Sequence, residues 1–133
     1  MREFDMKIIQ IINAFEGITN TEVRDCIEGD GKIYFLVNAG KAAMAIGKGG
    51  ARVQTAEKLL GKQIRVLEFD EDSVKFIKNI IPTADKVEIR DKIAVVSISR
   101  KNRGNVIGRD GSNIKILREL ISRNCDLEDL KIL

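Results

Sequence analysis

Displaced by 61 positions, this 133-residue chain falls on itself without a gap from about residue 33 to residue 61. The β-rich run "IYFLV" (33–37) lands on "AVVSI" (94–98), and "IGKGG" (46–50) lands on "IGRDG" (107–111). Val53, Ala56, Leu59 and Leu60 land on Ile114, Leu117, Leu120 and Ile121, so apolar character repeats where identity does not. Upstream the offset becomes 66, and Ile8, Ile11 and Phe15 meet Val74, Ile77 and Ile81, both sets spaced for one helical face. Such a repeat restricts the chain to two copies of one small supersecondary unit.

Each unit reads helix, strand, strand, short helix, Gly-x-x-Gly, helix, strand. In the first, the spacing predicts a helix over 4–15 ended by Glu16-Gly17, and strands over 21–27 and 32–38. A short helix at 41–46, a long one at 51–60 and a strand at 63–69 follow. The second predicts a helix over 72–80 ended before Pro82, then strands over 86–90 and 92–99. Helices at 102–107 and 112–122 and a strand within 127–133 complete it. Gly29-Asp30-Gly31 and Arg90-Asp91-Lys92 are the expected hairpin turns. The fold class is therefore α+β, in two domains of about 65 residues, 1–70 and 71–133. The junction near Phe69–Asp72 has no Gly/Ser/Pro linker, which predicts rigid packing of the two.

Charge singles out the repeated pentapeptides. Residues 40–65 and 99–123 each carry a net +5 in a chain of net +3, which leaves −7 for everything else. A surface that concentrates positive charge while the remainder is acidic suits a polyanion; solvated Lys and Arg on two helix faces are the plain alternative. The chain has no histidine, and its two cysteines, Cys26 and Cys125, lie 99 positions apart. That set excludes His-based acid/base chemistry, Cys/His nucleophile pairs and the usual zinc sites. Each cysteine reads as a small apolar residue, and no cofactor is expected. No apolar run approaches a membrane span. The N-terminus carries acidic residues and no small-residue cleavage site, unlike a signal peptide, so a soluble cytoplasmic protein without membrane contact is expected.

A Gly-x-x-Gly step that opens a helix lets the backbone approach a partner closely, and the free N–H groups of the helix start favour a phosphate. Neither site has the Gly-x-x-x-x-Gly-Lys-Ser/Thr loop of nucleotide hydrolases or the Gly-x-Gly-x-x-Gly dinucleotide fingerprint. A lone Gly-x-x-Gly is often only a helix–helix turn. Its duplication, the preceding Ile and the two basic segments favour the binding role here.

Helix, Ile-Gly-x-x-Gly, helix resembles the KH-domain signature, and the αββααβ order is that of the type II, prokaryotic form. The resemblance covers roughly residues 3–133 and is specific at the two loops and the element order. A pair of type II units is similar to the tandem KH module of NusA-like proteins. The length leaves no room for an S1 or an N-terminal polymerase-binding domain, as in the short archaeal members. In KH domains the loop clamps the backbone of about four single-stranded nucleotides. The resemblance therefore implies that Gly47, Lys48, Gly49 and Gly50, with Gly108, Arg109, Asp110 and Gly111, hold RNA. It places Ile46 and Val53 in the first groove and Ile107 and Ile114 in the second, with core packing as the alternative for each. Arg52, in the first turn of its helix, and Lys115 are further candidates; like Lys58 and Arg118, they also fit solvated helix positions.

Only six aromatic residues (five Phe, one Tyr, no Trp) argue against a base-stacking platform of the RRM or OB type. The loops differ at one place: Asp110 sets a carboxylate where a phosphate would lie, or caps the next helix with Ser112, whereas its counterpart is Gly49. The implied function is a monomeric, non-enzymatic factor of NusA type that binds nascent single-stranded transcripts in termination or antitermination. RNA polymerase would be a further partner. A ribosome-associated or RNA-processing KH protein is the alternative, and an enzyme acting on a phosphorylated small molecule lacks an acid/base pair.

Overall fold

The computed structural model describes residues 5–133, so residue 4, placed above in the first helix, lies outside the described residues. The chain divides into two compact units, one ending at Phe69 and the other spanning Asp70–Leu133. Both are α+β, and both follow the same αββααβ order of a type II KH unit.

In the first unit, α1 (Met6–Thr19) is capped by Asp5, whose carboxylate accepts from the N–H of Ile8 at 2.8 Å. The strands β1 (Val23–Gly29) and β2 (Lys32–Val37) form an antiparallel hairpin. A short α2 (Ala42–Ile46) leads through one 3₁₀ turn (Lys48–Gly50) into α3 (Ala51–Leu60). The last strand, β3 (Gln63–Glu68), returns parallel to β2, with Lys32 opposite Gln63 and Ile33 opposite Ile64. The sheet order is β1-β2-β3, which leaves β3 on an edge. Ile33, Phe35 and Val37 of the central strand pack into a core with Ile11 and Phe15 of α1, Ala45 of α2, Ala56 of α3 and Ile64 of β3. Phe15 stacks on Phe35 with ring centroids 3.8 Å apart.

The second unit repeats the plan. Here α4 (Ser73–Ile80) is capped by Asp72, whose carboxylate accepts from Val74 N–H at 3.0 Å and Lys75 N–H at 3.4 Å. The hairpin β4 (Lys86–Arg90) and β5 (Ile93–Ser97) follows. Next come α5 (Arg100–Ile107), a 3₁₀ turn (Arg109–Gly111), α6 (Ser112–Asn124) and β6 (Asp129–Ile132), again parallel to the middle strand of its sheet. Ile93 faces Asp129 where Lys32 faces Gln63. The second unit thus holds five more residues between its matched strand positions. The longer α6, 13 residues against 10 in α3, and the connection after it take them up.

The first helix departs from expectation. It runs through Gly17 to Thr19 and ends at Asn20, a left-handed C-cap whose N–H reaches Glu16 O at 2.9 Å. A helical glycine costs about 1 kcal/mol relative to alanine. Burial of Phe15 and Thr19, with the Thr19 hydroxyl donating to Phe15 O at 2.8 Å, outweighs it. In the same way α5 starts two residues earlier than the periodicity indicated, at Arg100 after Ser99, and α6 continues to Asn124 over buried Leu120 and Ile121.

The hairpin turns are mirror-image turns with both central residues at positive φ, Asp30-Gly31 (53° and 74°) and Asp91-Lys92 (48° and 65°). Lys92 is the costly member, since its Cβ crowds the carbonyl there. Lys92→Gly is expected to stabilise the protein by about 0.5–1 kcal/mol, seen as a rise of a few degrees in melting temperature. An unchanged or lower midpoint would show that the left-handed lysine carries no strain. Among the described residues no helix is long and apolar enough to cross a membrane.

Candidate nucleic-acid interface

Two side-chain-poor corners present the repeated pentapeptides. In the first, α2 stops because Gly47 adopts φ 81°, ψ 167°, a region essentially closed to residues with a Cβ. The turn then closes through Gly50 N–H to Gly47 O at 3.0 Å. Gly49 (φ 61°, ψ 21°) and Gly50 (φ 77°, ψ 14°) both take left-handed torsions before α3 begins. The second corner reproduces the path: Gly108 at 79° and 174°, Asp110 at 53° and 28°, Gly111 at 76° and 13°. The two pentapeptides, identical at three of five positions, thus hold the same backbone torsions to within several degrees. A Cβ on Gly47 would come within 2.8 Å of Arg52 Cγ, and one on Gly108 within 2.7 Å of Asn113 Cβ, so space as well as torsion requires glycine there.

Neither α3 nor α6 has a side-chain hydrogen bond at its N-cap, and the partial positive charge of each helix start lies beside the loop. Asp110 therefore does not cap α6; its carboxylate stands exposed in the loop, at a left-handed torsion that Asp tolerates. Lys48 and Arg109 are exposed at matching positions and make no ion pair among the described residues. Each loop thus sets a cation beside the positive end of a helix, an arrangement suited to a phosphodiester.

Next to the first loop lies a groove of about 360 Å³, lined by Ile46, Gly50 and Val53 and closed by Glu57 of α3 and Ile64 and Val66 of β3. Ile46, 38% exposed, and half-buried Val53 line this wall next to the loop. In the second unit Ile107 is half-buried in the corresponding place, whereas Ile114 is buried and belongs as much to the core. Lys115 is exposed on α6.

Arg52, a candidate RNA contact, also makes hydrogen bonds within the fold. Its Nη1 donates to Thr19 O at 2.7 Å and Met44 O at 3.1 Å, tying the start of α3 to the ends of α1 and α2. The matching residue of the second unit, Asn113, donates from Nδ2 to Val106 O at 2.7 Å. Both side chains thus brace the loop from behind. A first-turn position suggested a ligand contact because sequence shows the helix but not the carbonyls within reach. Gln54, Glu57, Ile64, Arg65 and Val66 line the groove in addition to the residues expected from the sequence. The spacing of Gly50, Val53, Gln54 and Glu57 along one helical face was a signal for part of that set. The β3 members become neighbours only through the parallel pairing with β2.

Comparison with known proteins agrees with this geometry. A model of the KH domain family matches residues 7–80, which takes in the first unit's elements and α4. The chain is 32% identical over 131 residues to a probable transcription termination protein NusA of Methanocaldococcus jannaschii, covering 94% of this chain and 72% of that one. It is 30% identical to the protein of the same description in Halobacterium salinarum, covering 92% of each. Among solved structures, that of APE1850 superposes with a TM-score of 0.76 at 29% identity, over 98% of this chain and all of that one.

Proposed function

The chain belongs to the KH-domain family as a NusA-like RNA-binding protein with two type II units, and from that premise we propose that it clamps nascent single-stranded RNA with its two Gly-x-x-Gly loops. The observation that carries the reading is the near-identity of the two loop backbones, each with an uncapped helix start and an unpaired exposed cation. In each loop the glycines admit the sugar–phosphate backbone to van der Waals contact, N–H groups of the helix start donate to a phosphate oxygen, and Lys48 or Arg109 neutralises it. The groove beside the first loop then receives bases on an aliphatic wall. The protein acts as a monomeric binding factor without catalysis, in transcription termination or antitermination, with RNA polymerase as its protein partner.

Affinity for an unstructured RNA is expected to fall as salt rises, with about 0.7 logarithmic units lost per logarithmic unit of salt for each phosphate contacted. Titrations at several salt concentrations check this; salt-independent binding would rule out the phosphate clamp. Crosslinking in cells followed by sequencing tests the biological assignment. Nascent transcripts are expected, and recovery of mature ribosomal RNA alone would transfer the protein to the ribosome.

A further inference from the structure

One helical position is reversed in polarity between the two grooves. In each sheet the last strand is an edge, and its hydrogen bonds to the middle strand involve the odd-numbered residues, as Phe69 N–H to Val37 O at 2.9 Å and Leu133 N–H to Val96 O at 2.9 Å show. The N–H and C=O of even-numbered residues therefore point to the free edge, into the groove. In the first unit the Glu57 carboxylate accepts from the edge N–H of Ile64 at 2.9 Å through Oε2. In the second, Arg118 occupies the matching helical position and donates from Nε to the edge C=O of Leu130 at 3.1 Å, with Asp129 Oδ1 at 3.4 Å. The Leu130 N–H is already taken by Asp129 Oδ1 at 2.8 Å.

What remains on offer differs accordingly. The first groove keeps acceptors: Glu57 Oε1 and the free-edge carbonyl of Ile64. The second keeps donors: the terminal nitrogens of Arg118, which make no hydrogen bond among the described residues, and Lys115, which stands where the first unit has Gln54. The rims do not cancel the contrast, because Arg65 and Lys131, opposite Tyr34 and Val95 in matching registers, are both cationic.

We propose that the two units read different bases, the first preferring adenine and cytosine, which carry an amino group where guanine and uracil carry a carbonyl, through Glu57, the second preferring guanine through Arg118. Adenine N6 and cytosine N4 donate to a carboxylate, whereas guanine O6 and N7 accept a guanidinium. The inference rests on the RNA-binding reading above. It makes Glu57 and Arg118 the specificity-determining residues.

Selection from a randomised single-stranded RNA pool tests it in the full chain, with one loop disabled at a time. Arg109→Asp leaves the first unit to select and is expected to enrich adenine and cytosine at the bound positions by about fivefold or more, the low end for a good side-chain–base pair. Lys48→Asp with Gly49→Asp leaves the second and is expected to enrich guanine similarly. Adding Glu57→Gln to the first background, or Arg118→Gln to the second, should erase the respective preference. Should Glu57→Gln lower the melting temperature by freeing β3, Arg118→Gln, on a side chain 46% exposed, carries the same comparison. Identical base preferences from the two loop variants, or preferences indifferent to residues 57 and 118, would overturn the assignment. A wild-type chain that selects no RNA would instead refute the clamp itself, and the base assignment with it.

Discussion

Converting Lys48-Gly49 to Asp-Asp is expected to weaken single-stranded RNA binding by about a hundredfold, and Arg109→Asp, which makes the second loop Asp-Asp as well, by only about tenfold. Charge-assisted contacts to phosphate contribute about 1.5–3 kcal/mol each, and a carboxylate in their place adds repulsion. The second loop already carries that repulsion in Asp110, which is exposed and caps nothing. The comparison is fair because both variants end with the same pair, so the difference in loss measures what Lys-Gly does that Arg-Asp does not. Folding should survive in each case. A Cβ on Gly49 meets nothing within 4 Å, and Asp110 shows that aspartate accepts nearly the same torsions. Fluorescence titration with an unstructured oligonucleotide decides it; equal losses, or none, would defeat the asymmetry. The groove walls act in the other direction, since Lys115 and Arg118 give the second unit cations that Gln54 and Glu57 do not. On the proposed reading the two units are expected to divide the work, the first holding the backbone more firmly and the second supplying donors to the bases.

Gly108→Ala is expected to cost about 2–3 kcal/mol and to lower the melting midpoint by roughly 10–15 °C. At φ 79°, ψ 174° an alanine is strained wherever it stands, and here its Cβ would also lie 2.8 Å from the backbone nitrogen of Asn113. That nitrogen belongs to the first turn of α6 and cannot move without unwinding it. Gly47→Ala should cost somewhat less, because one of its clashes is with the flexible Arg52 Cγ, although Arg52 N at 3.0 Å still resists. Gly49→Ala, with the same sign of φ and open surroundings, isolates torsion from contact and should cost about 1 kcal/mol. Thermal melts of the three variants check the ranking. A Gly108→Ala protein that melts with the wild type would show that the corner is not held as described.

The loops were legible because everything that makes them is local. A Gly-x-x-Gly between two helical patterns needs only backbone sterics to be placed, and its recurrence 61 residues later placed it twice. The helix ends were legible in part: the start of α4 was placed to within one residue, but Gly17 looked like the end of α1 until burial of Phe15 and Thr19 carried the helix past it. The carbonyl contacts of Arg52 were not legible, because a cation near a loop reads alike whether it faces a ligand or a carbonyl of its own chain.

By itself the sequence determined the duplication, the order of elements in each unit, the two glycine corners and the basic segments around them. These follow from short-range periodicity, turn chemistry and charge, each a property of neighbouring residues. Tertiary structure alone decided what lines the groove. Ile64 and Val66 reach α3 only because β3 closes a parallel pair with a strand 31 residues earlier. The opposed polarity of Glu57 and Arg118 acquires meaning only against the free edge that this pairing leaves. Parallel pairing joins segments that no local pattern links, so its consequences for recognition appear only once the chain has folded.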